Sequence, residues 1–347
     1  MAEKFPKLKS QLNSEIKKVI KDSFGVDLDS EVLSPIVDFV FKRVFTADDW
    51  RSKKAFTHLL NSALNLQGDN QITELVIVNA SIPVDRGKLK KPIFDIRVKF
   101  KNGEQAIIEM QLSGGYSFRK RSQFIISRAY SSQELSGAEY SALKKCCLIC
   151  FLNFSLFKKP SRGLVKDYRF RDRQGRDLTD DETIIFISLP EAEKLLEKPV
   201  ESLTGIEMWA IFLKYITDKG KSNIMGKILE REESIKVAAN ILYEISQDEE
   251  ARIQYENEML AELDARSWIS DARREGREEG WEEGHEKGWE EGSEKGREEG
   301  RDEGHTEDAR KMLAKGYDWD DIIEITGLSY KRLRKLALNG GAKGERP

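Results

Sequence analysis

The sequence is poor in the residues that build most metal, redox and disulfide sites. Only three of its 347 residues are cysteine and three are histidine. All three cysteines fall in one apolar stretch, CCLICFLNF at 146–154, with neither a second cysteine pair nor a nearby histidine to complete a zinc set. We therefore expect small buried thiols, since free cysteine packs readily in protein cores. A His-rich metal site and a Ser-His-Asp triad have equally little support.

The chain also lacks a long apolar run. The stretch at 146–154 is less than half of the ~20 residues that a membrane-spanning helix needs. The first residues, MAEKFPKLKS, lack the apolar segment of a signal peptide. These absences favour a cytoplasmic protein with no membrane partner. Hydrophobic residues at 39% and charged residues at 34% still suffice for a folded core.

The net charge of −3 conceals an uneven distribution of charge along the chain. Residues 271–304 hold fourteen acidic and seven basic residues, so the rest of the chain carries about +4. That weak positive balance permits an anionic partner without requiring one.

Within this acidic stretch, glycine recurs at every fourth position. The glycines are Gly276, Gly280, Gly284, Gly288, Gly292, Gly296, Gly300 and Gly304. In a helix they would form a slowly winding stripe that a partner backbone could approach closely. Each glycine costs about 1 kcal/mol relative to alanine, so an isolated helix would be marginal. A packed or partner-dependent helix, with Trp281 and Trp289 as anchors, and a flexible acidic linker are both open.

The hydrophobic periodicity predicts an α/β domain followed by a helical half. Strands and helices alternate over the first 190 residues, and helical patterns follow. One helix is expected over 33–45, with Ser34 as its N-cap and Pro35 at its first position. The predicted organisation is an N-terminal helix (1–30), an α/β core (31–190), a helical extension (191–272), the acidic glycine segment (273–305), a small tri-helical unit (306–338) and a disordered tail (339–347).

The tri-helical unit is predicted from breaks at Gly316 and at Gly327-Leu328. Its expected apolar contacts come from Ile322, Ile323, Ile325, Leu328, Leu333 and Leu336. The last helix carries basic residues, as a helix-turn-helix that reads DNA would. These candidates for DNA binding are Lys331, Arg332 and Arg334, with Lys335 beside them. A solvated basic face explains the same residues.

The segment IFDIRVKFKNGEQAIIEMQL (93–112) reads as a β-hairpin whose register can be argued. A two-residue turn would pair Asp95 with Met110, whereas a three-residue loop, with Gly103 in the left-handed conformation, pairs Asp95 with Glu109. Only the three-residue loop keeps the apolar side chains on one face, and splitting them would cost roughly 1.5–3 kcal/mol per large buried side chain. The apolar side chains that share this face are Phe94, Ile96, Val98, Phe100, Ala106, Ile108, Met110 and Leu112. The sequence therefore predicts the three-residue loop.

Two directly opposed carboxylates, Asp95 and Glu109, should repel each other unless a metal ion or a basic side chain lies between them. Oxygen-only ligands favour Mg²⁺ or Mn²⁺ over zinc. Such an ion could activate water and neutralise charge on a phosphodiester. A hairpin with one solvent-facing side is the alternative interpretation.

Asp95 followed by Glu109-Met110-Gln111 resembles the catalytic core of the PD-(D/E)XK nuclease superfamily. More narrowly, the chain resembles the Rpn family of recombination-promoting nucleases and transposases. The resemblance rests on SPIVDFVFKRVF (34–45), FDIRVKFKNGEQAIIEMQL (94–112), the segment 121–154, the glycine repeat and the ITGLS ending. It spans about residues 30–338.

The resemblance implies a restriction-endonuclease-like mixed sheet with flanking helices and a Mg²⁺- or Mn²⁺-dependent DNA endonuclease that acts in recombination or transposition. Asp95 and Glu109 would be metal ligands, with the Met110 carbonyl. Asp38 matches the acidic position that often completes the metal shell.

Gln111 stands where the superfamily motif has lysine, and glutamine can supply neither a cation nor a base. A nearby basic residue, Arg121 or Lys99, is a candidate to compensate for it. Reduced catalysis with retained DNA binding is the alternative.

The basic segment that follows the hairpin is a candidate for phosphate contacts. Its candidate DNA-binding residues are Arg119, Lys120, Arg121, Arg128 and Tyr130, of which Arg121 and Tyr130 match recurrent family positions. Solvated helix charges explain the basic residues equally well. A homo-oligomer formed through the C-terminal helical region is also expected.

Overall fold

The computed structural model describes residue 12 and residues 14–78, 96–114, 117–133, 139–157 and 163–339. Phe94, Asp95 and the tail from residue 340 onward, about which the sequence makes predictions, lie outside these ranges. The chain divides into two compact units, Met1–Asp264 and Ala265–Pro347. The finer domain boundaries stay a prediction.

A mixed sheet forms the centre of the first unit. Its strands are β1 (Leu75–Val78), β2 (Ile96–Phe100), β3 (Gln105–Gln111), β4 (Cys146–Leu152), β5 (Val165–Tyr168) and β6 (Glu182–Ser188). Their spatial order is β1-β2-β3-β4-β6-β5. The central strands β3, β4 and β6 run parallel to one another, and the remaining pairs are antiparallel.

Ten α-helices account for most of the rest of the described chain. They are α1 (Ser14–Phe24), α2 (Asp38–Thr46), α3 (Trp50–Ala63), α4 (Phe118–Ser131), α5 (Gly205–Tyr215), α6 (Ser222–Arg231), α7 (Glu233–Ser246), α8 (Glu249–Lys315), α9 (Trp319–Thr326) and α10 (Tyr330–Asn339). The predicted α/β fold with a helical C-terminal half is confirmed. In the ranges described, no helix is both long and apolar enough to cross a membrane.

The β2–β3 hairpin has the predicted register. Ile96 pairs with Ile108 and Lys99 pairs with Gln105. Gly103 has a φ of +88°, and its N–H donates to the Phe100 carbonyl at 2.9 Å. Glycine tolerates this left-handed conformation because it has no Cβ. The three-residue loop is therefore confirmed.

Both faces of β3 are covered, which the solvent-facing alternative did not expect, whereas Lys99 of β2 is exposed. One face of the hairpin, including Ile96, Val98, Ala106, Ile108 and Met110, belongs to the large core that also contains side chains of α2, α3, α5 and α7. On the other face, Ile107 packs in a second cluster with side chains of α4. Consequently Gln105 and Glu109 are buried, although each lies on the face that the pattern marks as polar.

The helix α2 begins later than predicted. Its first residue is Asp38, and the preceding residues form a turn in which the Val37 N–H donates to the Ser34 carbonyl at 3.2 Å. The prediction of Ser34 as the N-cap was wrong, because proline suits the second position of a turn as well as the first position of a helix. The correction places the Asp38 carboxylate at the helix N-terminus, where the helix dipole favours negative charge.

All three cysteines are buried in β4, as expected. Burial raises the pKa of Cys146 to about 12 and that of Cys147 to about 11. Neither thiol is therefore an activated nucleophile at neutral pH.

In the second unit, the glycine repeat is helical throughout, as part of α8. A Cβ added at any of its eight glycines would meet no atom within 4 Å. The structure therefore shows the helical alternative, and the glycine stripe is open to an added Cβ among the described residues.

A third cluster joins the end of α8 to α9 and α10. It contains Ala309, Ile322, Leu328 and Leu333. The helices α8 and α9 end at Gly316 and Gly327, as the sequence predicts. These two glycines have φ values of +78° and +68°. Ile325, however, is 65% exposed, so its expected role in this core was wrong.

Candidate active site

Glu109 is a fully buried carboxylate of the central sheet, with 0% of its surface exposed. Side chains alternate along a strand, so Ile107, Glu109 and Gln111 share the face of β3 that α4 covers. Glu109 is thereby surrounded by the apolar contacts of α4 and β4. A carboxylate in such surroundings is costly unless cations or donors compensate its charge.

Two donors converge on one oxygen of Glu109. The Gln111 amide donates from Nε2 to Glu109 Oε2 at 3.2 Å. The Arg121 guanidinium, from the first turn of α4, donates to the same oxygen, also at 3.2 Å. Arg121 remains 49% exposed while its partner is fully buried. Two donors on one oxygen restrict the orientation of the carboxylate.

Asp38 is the second candidate ligand within the described residues. It opens α2, and its carboxylate pairs with Lys42 one turn later. This pair has the i,i+4 spacing that brings side chains together on a helix surface.

The helix α8 contributes two further carboxylates, which contact residues beside Asp38 and beyond the end of β3. Glu258 Oε1 accepts a hydrogen bond from the Phe39 N–H at 3.3 Å, and Glu262 accepts one from the hydroxyl of Ser113, just beyond β3. Burial raises the pKa of Glu258, and the nearby charge of Asp38 adds to that rise. The sequence carries no signal for these contacts, because they join residues 219 and 149 positions apart.

The described residues include no group of three or more His, Cys, Asp or Glu side chains placed to hold a metal ion. Asp95, the other proposed ligand, lies outside them. The donor chemistry nevertheless fits a hard divalent cation, because Glu109 and Asp38 offer only carboxylate oxygens. Each of these carboxylates already pairs with a cation: Glu109 pairs with Arg121, and Asp38 pairs with Lys42.

The candidate DNA-binding residues of α4 differ in their surroundings. Arg119 and Lys120 are exposed, and the Arg119 guanidinium lies over the Phe157 ring, 5.7 Å from its centroid. Arg128 and Tyr130 are partly buried. The Tyr130 hydroxyl donates to Asp181 Oδ2 at 3.2 Å, and burial with this carboxylate raises the pKa of Tyr130. Arg119 and Lys120 are therefore the more accessible pair.

The basic residues of α10 form a separate surface in the second unit. Lys331, Arg332 and Arg334 are all exposed. Arg332 Nη1 pairs with Asp302 Oδ2 at 2.7 Å, so part of this charge is neutralised within the unit. Lys331, Arg332 and Lys335 line one side of an open concavity.

Comparison with known proteins gives one match. A family model described as PD-(D/E)XK nuclease family transposase matches residues 35–272. No curated protein and no solved structure matches the chain significantly. The matched region contains the whole sheet, Asp38, Glu109 and Arg121, and it ends inside α8 before the glycine repeat.

Proposed function

We propose, from the premise that this chain belongs to the PD-(D/E)XK nuclease family transposases, that it is a divalent-metal-dependent DNA endonuclease acting in recombination or transposition. The restriction-endonuclease-like mixed sheet places Glu109 on a central strand. The observation that carries the proposal is the burial of the Glu109 carboxylate against Arg121 and Gln111. Such a charge is costly to bury, so its presence in a nuclease fold supports a role in chemistry.

In this proposal Glu109 and Asp95 hold Mg²⁺ or Mn²⁺, together with the Met110 carbonyl and Asp38. The pairing of Asp95 with Glu109 is a prediction from the sequence, and the described pairs of the hairpin have the register on which it depends. The metal would supply an activated water and neutralise charge on the phosphodiester. Gln111, whose amide donates to Glu109, orients that carboxylate.

DNA is the proposed partner of two basic surfaces. The first comprises Arg119, Lys120, Arg121, Arg128 and Tyr130 on α4. The second comprises Lys331, Arg332 and Arg334 on α10. Because phosphate contacts release counterions, binding through these residues should weaken steeply as salt rises.

The direct test is incubation of the purified chain with supercoiled plasmid and with short duplexes, in Mg²⁺, Mn²⁺ or EDTA. We expect cleavage that requires the metal and that Asp95→Ala abolishes, with circular dichroism unchanged. Equal cleavage by the wild-type protein and Asp95→Ala would contradict the site. Salt-sensitive DNA binding without cleavage would favour the alternative, a nuclease-fold protein that has lost catalysis and retains DNA binding.

We also propose that the chain assembles into homo-oligomers through α8. The observations that favour assembly are the open glycine stripe and two tryptophans, Trp281 and Trp289, each 70% exposed. Aromatic side chains such as tryptophan are enriched in the buried centres of protein–protein interfaces. Light scattering should give a multiple of the chain mass for the wild-type protein and the mass of a single chain for Trp281→Glu/Trp289→Glu. Equal masses would contradict assembly through these residues.

A further inference from the structure

The motif position occupied by Gln111 leaves the proposed centre without its usual cation. The basic side chains considered as its replacement are Arg97 and Lys99 of β2 and Arg121, the α4 residue that contacts Glu109. A cation that acts on the scissile phosphate has to lie beside Glu109 and has to keep donors free for the phosphate oxygens.

The hairpin geometry excludes Lys99 from that position. Lys99 pairs with Gln105, four residues before Glu109 on β3. At about 3.3 Å per residue, the two positions are about 13 Å apart along the sheet.

Arg97 is nearer in the sheet but is directed elsewhere. It pairs with Ile107, and its Nε donates to Gln105 Oε1 at 3.0 Å. That contact turns the guanidinium towards the hairpin loop, away from Glu109.

Arg121 meets both requirements. It donates to Glu109 Oε2 at 3.2 Å, and 49% of its side chain is exposed. A guanidinium has five N–H donors in a planar fork, a geometry that matches phosphate. The buried side of Arg121 therefore neutralises Glu109 while its exposed side is available to an anion.

We propose that Arg121 supplies the missing cation, bridging the Glu109 carboxylate and the non-bridging oxygens of the scissile phosphate. There it stabilises the charge that builds on those oxygens as water attacks and the P–O bond breaks. This inference rests on the nuclease function proposed above. It also assigns Gln111 a positioning role, because its amide shares the oxygen that Arg121 binds.

Three variants separate charge from hydrogen bonding. Arg121→Gln keeps a donor without charge, and Arg121→Lys keeps the charge. The double variant Gln111→Lys/Arg121→Gln restores a cation at the motif position. At saturating DNA, Arg121→Gln should lose at least about a hundredfold in turnover, within the range seen when one charge-stabilising donor is removed. Arg121→Lys should retain more turnover than Arg121→Gln, and the double variant should recover about tenfold or more of the loss.

A control variant and two binding measurements exclude a purely structural role. Lys236→Ala removes an exposed cation of α7 outside the site and should leave turnover unchanged. Calorimetric titration of Mn²⁺ without DNA should give Arg121→Gln an affinity within about threefold of wild type, since its retained donor still orients Glu109. In EDTA, the salt slope for binding a short duplex should fall by about 0.9 in Arg121→Gln, one phosphate contact fewer.

Wild-type turnover in Arg121→Gln, or no recovery in the double variant, would overturn the inference. A loss of Mn²⁺ affinity of more than about tenfold would show instead that Arg121 only positions Glu109. If the wild-type protein cleaves no DNA, the nuclease proposal fails on its own. The salt slope then still decides whether Arg121 contacts phosphate, and an unchanged slope would contradict that contact.

Discussion

The two units of the chain use charge and apolar surface in opposite ways. In the first unit Trp209 is fully buried and donates from Nε1 to His58 Nδ1 at 3.0 Å, and the buried Glu109 pairs with Arg121. In the second unit Trp289 is 70% exposed, and the pairs along α8, such as Lys287–Glu283, lie in solvent. Exposed helix pairs contribute only about 0.3–0.5 kcal/mol each.

This contrast separates a unit built around buried polar groups from a unit with an open surface. The first unit tolerates the cost of buried polar groups, which are worth keeping where chemistry needs them. The second unit repeats glycine and acidic residues along an open helix, a surface suited to contact with another chain rather than to catalysis. Comparable substitutions in the two units should therefore change the stability of the protein by different amounts.

The largest contrast is expected between two tryptophans. Trp209→Ala should lower the free energy of unfolding by about 3–5 kcal/mol, because it opens a cavity in the core. Trp289→Ala should change it by less than about 0.5 kcal/mol in the single chain, since its side chain is exposed. Urea unfolding followed by circular dichroism measures both. A large effect of Trp289→Ala that depends on protein concentration would show that α8 is buried in an assembly.

The small core of the second unit should lose stability without affecting the stability of the sheet in the first unit. Leu333→Ala removes a fully buried side chain from the third cluster and should cost about 2–5 kcal/mol of its stability. Hydrogen exchange should then accelerate in α9 and α10 while the strands of the sheet keep their protection. Equal acceleration in β3 and β4 would contradict this independence.

The glycine stripe provides a smaller effect of opposite sign. Gly288→Ala and Gly292→Ala should each stabilise α8 by about 1 kcal/mol, because alanine favours helix and the added Cβ meets no described atom. Thermal melting followed by far-ultraviolet circular dichroism checks the direction. That stabilisation is expected of the single chain. If a second chain packs against the stripe in the proposed assembly, the melting temperature and the mass by light scattering should fall together. A lowered melting temperature with an unchanged mass would contradict both expectations.

The smallest effect concerns His58, the partly buried histidine that accepts a hydrogen bond from Trp209. Burial lowers the pKa of His58, although the charge of Glu232 opposes that shift. The unfolded chain therefore binds a proton at this histidine more readily than the folded chain does. As the pH falls below about 6.5, this difference in proton binding lowers the free energy of unfolding. His58→Gln should flatten the pH dependence of unfolding between about pH 7 and pH 5. The same slope in wild type and His58→Gln would contradict the assignment.

Local patterns predicted the hairpin well. The three-residue loop follows from the alternation of apolar residues around Asn102-Gly103, and the breaks at Gly316 and Gly327 follow from glycine itself. In each case one short stretch of sequence contains the whole physical cause. Alternation also identified Glu109 as a polar residue on the face opposite the main core.

One local ambiguity and two tertiary contacts account for what the sequence did not predict. The start of α2 at Asp38 was missed because Ser34-Pro35 suits a turn and a helix equally. The burial of Glu109 depends on α4 covering the second face of the sheet. Likewise, the contact of Glu258 with Phe39 joins distant segments, and nothing distinguishes Glu258 among the many acidic residues of α8.

The most direct test of the central claim is metal-dependent DNA cleavage by Glu109→Gln beside the wild-type protein. Glutamine keeps the size of the side chain and removes the charge that would hold the metal. We predict a loss of cleavage in Mg²⁺ of about a thousandfold or more, since metal catalysis supplies several kcal/mol and each ~1.36 kcal/mol is tenfold in rate. DNA binding in EDTA should persist. Cleavage by Glu109→Gln at the wild-type rate would contradict the account.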